Sequence, residues 1–124
     1  MSISLVRTQT PLVATMAVIK NGLSLKHVNH KLKRPQLCKL AVQNNCQALQ
    51  YVDNQTEEIC LIAVKKCGGL LLYVHNQTHD ICLAAVKQNW KALKYVEDKT
   101  PNIIAAAEEQ NPNALSDVAK IARF

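Results

Sequence analysis

The sequence predicts an all-α protein, an αα-solenoid of about five two-helix repeats that follows an N-terminal half-repeat. Three observations support this fold class: a 22-residue unit recurs along the chain, each unit carries apolar residues at helical spacing, and helix-start signals recur at one position. The copies span residues 9–30, 33–54, 55–76, 77–98 and 99–120. A fixed period of this size is the signature of repeat proteins whose units share one core by stacking.

The first helix of each repeat has a clear start. With positions numbered 1 to 22, position 2 is Thr in four copies and position 3 is Pro in three. A Thr hydroxyl caps free backbone N–H groups, and Pro suits the first turn because its missing N–H would be unpaired there. Apolar residues at positions 5, 6, 9 and 10, such as Ile81, Cys82, Ala85 and Val86, form one helix face. We expect this helix to end near position 13, where Asn favours a left-handed terminus.

A second helix of about two turns is expected over positions 15 to 21. Its apolar residues are Leu at position 17 and Val at position 20 in every copy. Helices this short need tertiary packing to persist, which again favours a stack of repeats. Ala at position 9 of the first helix would let neighbouring helices approach closely.

Both ends of the chain fit a capped array, which we treat as one domain over residues 1–124. Residues 1–8 match the second-helix pattern and are expected to form a half-repeat that covers the first unit. The last unit carries Glu108 and Asp117 where other copies are less polar, as expected of a terminal repeat. Residues 121–124 remain as a tail.

The five cysteines favour a reducing compartment. Cys38, Cys60 and Cys82 share position 6, and equivalent positions in packed helices are too far apart for disulfides. We expect small buried hydrophobes there. Two histidines near Cys67 match no zinc spacing, so we expect no metal and no cofactor. No catalytic motif and no apolar run of membrane-spanning length occurs, so we expect a non-enzymatic, non-secreted protein without membrane contact.

The positive charge is concentrated in the first half of the chain. Residues 1–52 carry seven Lys or Arg and no Asp or Glu, whereas residues 53–124 carry eight bases and nine acids. The seven are Arg7, Lys20, Lys26, Lys31, Lys33, Arg34 and Lys39. Such a region attracts nucleic-acid phosphates or acidic partners. The alternative is a Lys-rich helical surface with no partner.

A second candidate surface follows from position 19, which is His27, Tyr51, Tyr73 or Tyr95 in the first four copies. Lys65, Lys87 and Lys94 are expected nearby on the surface. Aromatic and basic side chains together can hold a peptide or stack bases. The alternative is that each Tyr packs its ring and exposes its hydroxyl. Trp90, where Gly or Pro is expected, is a candidate contact residue.

Two strings resemble a known family. ICLAAVKQNWKALKYV (81–96) and LCKLAVQNNCQALQYVDNQT (37–56) closely resemble an uncharacterised 22-residue helical repeat, a domain of unknown function abundant in mimivirus-like giant DNA viruses of amoebae. The resemblance extends over residues 9–120. It implies a giant-virus protein in the amoeba cytoplasm, the viral factory or the virion, and it provides no catalytic residues.

Three functional hypotheses follow. The first is a binding or scaffold protein that engages an unidentified protein partner through a repeat face. The second is binding or packaging of nucleic acid by the basic half. The third is a self-assembling structural or virion protein that forms homo-oligomers.

Overall fold

A computed structural model describes residues 10–122 and the side chains of residues 10–119. Within this part every regular element is helical, so the predicted all-α class is confirmed. The expected half-repeat at residues 1–8 lies outside the described residues. The α-helices are α1 (Pro11–Lys20), α2 (Pro35–Asn44), α3 (Glu57–Lys66), α4 (His79–Gln88), α5 (Pro101–Gln110) and α6 (Ala114–Ala122). The 3₁₀-helices are Gly22–His27, His30–Leu32, Cys46–Tyr51, Gly68–Tyr73 and Trp90–Tyr95.

Helices α1 to α5 each occupy positions 3 to 12 of a repeat, and their starts follow the expected chemistry. The Thr10 hydroxyl accepts a hydrogen bond from Val13 N at 3.2 Å. The hydroxyls of Thr56, Thr78 and Thr100 do the same for the backbone N–H three residues on. Arg34 stands at this position in the second repeat, and α2 has no side-chain cap.

The second element of repeats 1 to 4 is a six-residue 3₁₀-helix at positions 14 to 19, not the predicted two-turn α-helix. The 3₁₀ geometry brings residues three apart onto one face because it has three residues per turn. The Leu at position 17 and the Val at position 20 therefore point the same way, and Leu93 and Val96 are both buried. In repeat 5, α6 buries Ala114 and Val118 and leaves Leu115 exposed.

The prediction that the Asn at position 13 ends the first helix in the left-handed region is wrong. No residue, glycine included, has a positive φ in the described part of the chain, and Asn89 has an extended backbone with φ −155° and ψ 116°. Its side chain instead caps the following 3₁₀-helix, because Oδ1 accepts from Lys91 N at 3.0 Å. Asn21, Asn45 and Asn111 make the equivalent bond.

The chain divides into two compact units, and the division falls between Ala63 and Val64 inside α3. In the first unit, α1 packs on α2, and both contact the 3₁₀-helix Gly22–His27. In the second unit, α4 packs on α5 and on the 3₁₀-helices Gly68–Tyr73 and Trp90–Tyr95, and α6 contacts α5. Repeat 1 thus packs on repeat 2 in the first unit, and repeats 3, 4 and 5 pack in turn in the second.

The core of each unit is built from Ala, Val, Leu, Ile and Cys. Its largest fully buried side chains include Leu25 and Leu49 in the first unit and Leu71 and Leu93 in the second. Among the described residues none that is polar or charged is buried. Backbone polar groups at the helix ends therefore need partners at the edge of this apolar interior.

For repeats 1, 3 and 4 those partners come from an amide side chain at position 12 of the following repeat, which we call the amide clamp; after repeat 2 this position is Lys66. Gln88 Oε1 accepts from Gly68 N at 2.6 Å, and Gln88 Nε2 donates to Lys66 O at 3.2 Å. The clamp thus joins the start of one 3₁₀-helix to the end of the α-helix before it. Asn44 clamps Gly22 N and Ile19 O, and Gln110 clamps Trp90 N and the carbonyls of Val86 and Lys87.

Glycine has a packing role at position 14 in two repeats. A Cβ added to Gly22 would collide with the carbonyl oxygen of Ala41, and one added to Gly68 would collide with that of Ala85. Both carbonyls belong to position 9 of the next repeat. The missing side chain brings the 3₁₀-helix onto that helix, whereas a Cβ at Gly69 would meet no atom nearby.

Replacing Gln88 by Ala should lower the free energy of unfolding by about 1–3 kcal/mol, because two backbone groups lose their partner. Urea denaturation checks this. The buried-core reference Leu93→Ala should cost about 2–5 kcal/mol. The surface reference Lys65→Ala should stay within about 0.5 kcal/mol. A Gln88→Ala protein as stable as Lys65→Ala would show that the clamp does not stabilise the fold.

Candidate interaction surfaces

The basic residues of the first half separate into exposed and engaged side chains. Lys20, Lys26, Lys31 and Arg34 are exposed. Arg7 lies outside the described residues. Lys39 is only half-exposed, and its Nζ pairs with Glu58 Oε1 at 2.6 Å. Nucleic acid or an acidic partner would therefore meet four exposed bases between residues 20 and 34.

Lys33 is held inside its own repeat. Its side chain is only 11% exposed, and Nζ donates to Tyr51 O at 2.9 Å and lies 3.6 Å from Asp53 Oδ2. The long side chain spans from the start of the repeat to its end. A lysine in this arrangement stabilises its repeat, and its charge is partly neutralised by groups of the same chain.

Gln77 stands at the same position 1 in the fourth repeat and likewise joins the start of its repeat to the end. We call this contact the position-1 tie. Gln77 Nε2 donates to Tyr95 O at 2.7 Å, while Oε1 accepts from Glu97 N at 2.9 Å. Lys and Gln thus perform the same task at equivalent positions. Sequence reasoning missed this role, although the recurrence of a long polar side chain at position 1 is its signal.

The residues at position 19 lie between the two alternatives for this column, an exposed contact surface and rings packed into the fold. Tyr51, Tyr73 and Tyr95 are half-buried, and His27 is exposed. Lys94 Nζ lies 4.9 Å from the centroid of the Tyr95 ring, a cation–π distance. The rings therefore contribute to packing while one edge stays accessible.

Trp90 is also half-buried, and its backbone N–H is held by Gln110. Lys65, Lys87 and Lys94 are exposed. Lys65 and Lys87 occupy position 11 of their α-helices, whereas Lys94 lies in a 3₁₀-helix. The candidate contact residues therefore belong to two different layers of the repeat.

The position-6 cysteines are buried, as expected, and unpaired as disulfides. Burial, and then the carboxylate of Glu57, raises the pKa of the Cys60 thiol to about 11. Burial also raises the pKa of Cys82 and Cys38. Cys82 Sγ lies 3.4 Å from Oε1 of Gln77, so this thiol touches the position-1 tie.

A shallow cleft lies beside that tie in the second unit. It encloses about 160 Å³ and is lined by Gln77, Thr78, His79, Cys82, Glu97, Asp98, Thr100 and Ile103. Its volume is below the range usual for small-molecule sites. Across residues 10–122, no group of three or more His, Cys, Asp or Glu is placed to hold a metal ion. In the same residues, no helix has the length and apolar character to cross a bilayer.

Thiol reactivity should separate the cysteines into two classes. At pH 8 a thiol of pKa about 11 is about 0.1% thiolate, the reactive form. Cys46 and Cys67, which are half-exposed, should be alkylated before Cys38, Cys60 and Cys82 are. Peptide mapping after timed alkylation checks this, with urea-unfolded protein as the control.

The same shift has a consequence for stability. A raised pKa favours the protonated thiol in the folded state, so its contribution is complete below the ordinary value of 9.0 and is lost as pH rises towards 11. Cys60→Ala should show a shallower loss of stability over that range. Equal alkylation rates at all five cysteines in the native protein would contradict both the raised pKa of Cys60 and the division of the cysteines into two classes.

Comparison with protein families gives a match to part of the chain. Residues 56–100 match the model of a family described as a domain of unknown function (DUF4116). The matched segment contains α3, α4 and the two 3₁₀-helices that follow them. No curated protein and no solved structure matches the chain.

Proposed function

We propose that the chain is a non-enzymatic scaffold that holds a protein partner on the exposed face of its repeats. In this proposal the repeats stack as a helical solenoid in which the second helix of most repeats is 3₁₀, which is supported by the packing of repeat 1 on repeat 2 and of repeats 3, 4 and 5 in turn. The observation that supports this function is that the positions of the repeat fall into two classes. Some positions are nearly constant and buried, and others vary freely and are exposed.

The constant positions build the frame. In repeats 1 to 4, Val at position 10, Leu at position 17 and Val at position 20 are all buried. The variable positions are 4 and 11 of each repeat, and every residue there is exposed; within each unit we call these positions the outer face. Position 4 is Leu12, Gln36, Glu58, Asp80 or Asn102, and position 11 is Ile19, Gln43, Lys65, Lys87 or Glu109. A fixed frame with a changeable face is how repeat proteins present binding surfaces.

The biological setting is part of the proposal. The resemblance of residues 81–96 and 37–56 to the giant-virus repeats favours a viral protein that acts in the amoeba cytoplasm, in the viral factory or in the particle. The partner would then be a viral or an amoebal protein. Half-buried Tyr73, Tyr95 and Trp90, with Lys94, offer additional contacts from the 3₁₀ layer.

Cross-linking in infected amoebae tests the protein-binding function. A tagged chain should recover one reproducible partner, with cross-links that map to Lys65 and Lys87. The double variant Lys65→Glu, Lys87→Glu should lower recovery roughly tenfold, equivalent to about 1.4 kcal/mol. Lys91→Glu is the matched control, since Lys91 is exposed but lies off the outer face. Failure to recover any reproducible partner, or equal recovery by both variants, would refute the proposal.

A second candidate, nucleic-acid binding, is favoured by the exposed Lys20, Lys26, Lys31 and Arg34 in a stretch without acids. If all four contact phosphates, the log of the affinity for DNA should fall against log salt with a slope of about −3 to −4. Lys31→Glu with Arg34→Glu should remove about half of that slope. Lys33 is left unchanged in this variant because its loss would disturb the fold.

Retention on DNA that is independent of salt, or unchanged in the double variant, would rule out phosphate binding by this stretch. Lys91→Glu again serves as the charge control. Light scattering on the same samples tests the third candidate, self-assembly, as a mass that increases with protein concentration.

A further inference from the structure

Helix α1 carries an exposed apolar strip formed by Leu12, Met16 and Ile19. These side chains are 69%, 54% and 57% exposed. They recur at i, i+4 and i+7, which places them on one face of the helix. Ala14 and Val18 are fully buried on the opposite face. The α1 strip therefore contributes nothing to the core of its unit.

The repeat frame does not require these residues to be apolar. They occupy positions 4, 8 and 11, and in the other four repeats positions 4 and 11 hold amide or charged side chains. Leu40, at the same position as Met16 in the next repeat, is 39% exposed on α2, which packs on α1. Four large apolar side chains thus gather on one surface of the first unit. A concentrated exposed apolar patch of this kind marks an interaction site.

The charge around the strip decides what fits it. Lys20 follows Ile19 directly on α1 and is exposed, and Lys26, Lys31 and Arg34 are exposed elsewhere in the first unit. Residues 10–52 contain no Asp or Glu. The first unit has three acids, Asp53, Glu57 and Glu58, all beyond residue 52; Glu58 is paired with Lys39, and Asp53 lies 3.6 Å from Lys33 Nζ. An occupant should therefore be apolar on one side and negatively charged at its borders.

The geometry favours a helix over the other occupants. The strip runs about 10 Å along α1, two helical turns, which an amphipathic helix with the same i, i+4, i+7 spacing can match. A second copy placed face to face would bring two acid-free basic stretches together. A membrane surface is disfavoured because the strip has no aromatic residue and the other side of α1 is buried in its unit.

We propose that the α1 strip and Leu40 form a docking site for an acidic amphipathic helix of a partner protein. Met16 suits this role, since its flexible thioether adapts to different apolar surfaces. The inference deepens the protein-binding function proposed above and rests on it. It assigns the chemistry of the partner and the part of the outer face that binds it.

Three synthetic peptides of about five helical turns test the site. The first has Leu at i, i+4, i+7 and i+11 with Glu on the flanks. The second has the same composition in scrambled order, and the third has Lys in place of Glu. The first should bind the full chain in fluorescence anisotropy, and the other two should bind at least roughly tenfold more weakly. Absence of binding by the first peptide, or equal binding by the scrambled one, would overturn the proposal.

The variants locate the contact. Leu12→Gln, Met16→Gln and Ile19→Gln together should weaken binding of the acidic peptide at least roughly tenfold. Leu72→Gln is the matched control, because Leu72 is 55% exposed in the second unit. Helical circular dichroism confirms that the triple variant folds, as expected for substitutions at exposed sites. Unchanged affinity of the triple variant would show that the peptide binds elsewhere.

Two further measurements distinguish the rival occupants. Sedimentation with phosphatidylserine vesicles that is lost in the triple variant, without peptide binding, would assign the strip to a membrane. A dimer seen in light scattering and lost in the same variant would assign it to a second copy. The peptide result is also independent of the Lys65 and Lys87 experiment. If a partner is recovered through those lysines while the peptide fails, the docking site is wrong and the scaffold function stands.

Discussion

The structure depends on how each repeat manages the break between its two helices. In repeats 1, 2 and 4 the α-helix ends and the 3₁₀-helix begins across a single extended Asn, whereas in repeat 3 Cys67 takes this place without a side-chain cap. In repeat 4 the Asn89 side chain satisfies one N–H, and the amide clamp from repeat 5 satisfies another together with the preceding carbonyls. Repeats 1, 3 and 4 therefore need their successor for backbone hydrogen bonds as well as for apolar packing.

Sequence predicted the features that depend on neighbours along the chain. The Thr caps, the apolar face of each first helix and the buried cysteines all follow from local spacing. The 3₁₀-helices were missed, although the three-residue interval between Leu93 and Val96 is their signal. The amide clamp could not be predicted, because Gln88 and Gly68 come together only through packing, and an exposed Gln in a helix has no distinguishing pattern.

The candidate surfaces show the same limit. Counting charges found the basic stretch but could not separate Lys33, which spans its repeat, from Lys31, which is exposed. Residues 11–19 are apolar except for Thr15, and the repeat pattern predicted them as helix. Only the structure shows that this helix buries Ala14 and Val18 and exposes the α1 strip on the opposite side.

The joint between the first two repeats shows how this architecture accommodates extra length. Two additional residues, Lys31 and Leu32, are taken up in the short 3₁₀-helix His30–Leu32. Asn44 still reaches Gly22, now 22 residues away, whereas Gln88 and Gly68 are 20 apart. An insertion at a joint lengthens the loop but leaves the donor and acceptor pairs intact. Such joints are where a fluorescent label or a foreign sequence could be grafted with least disturbance.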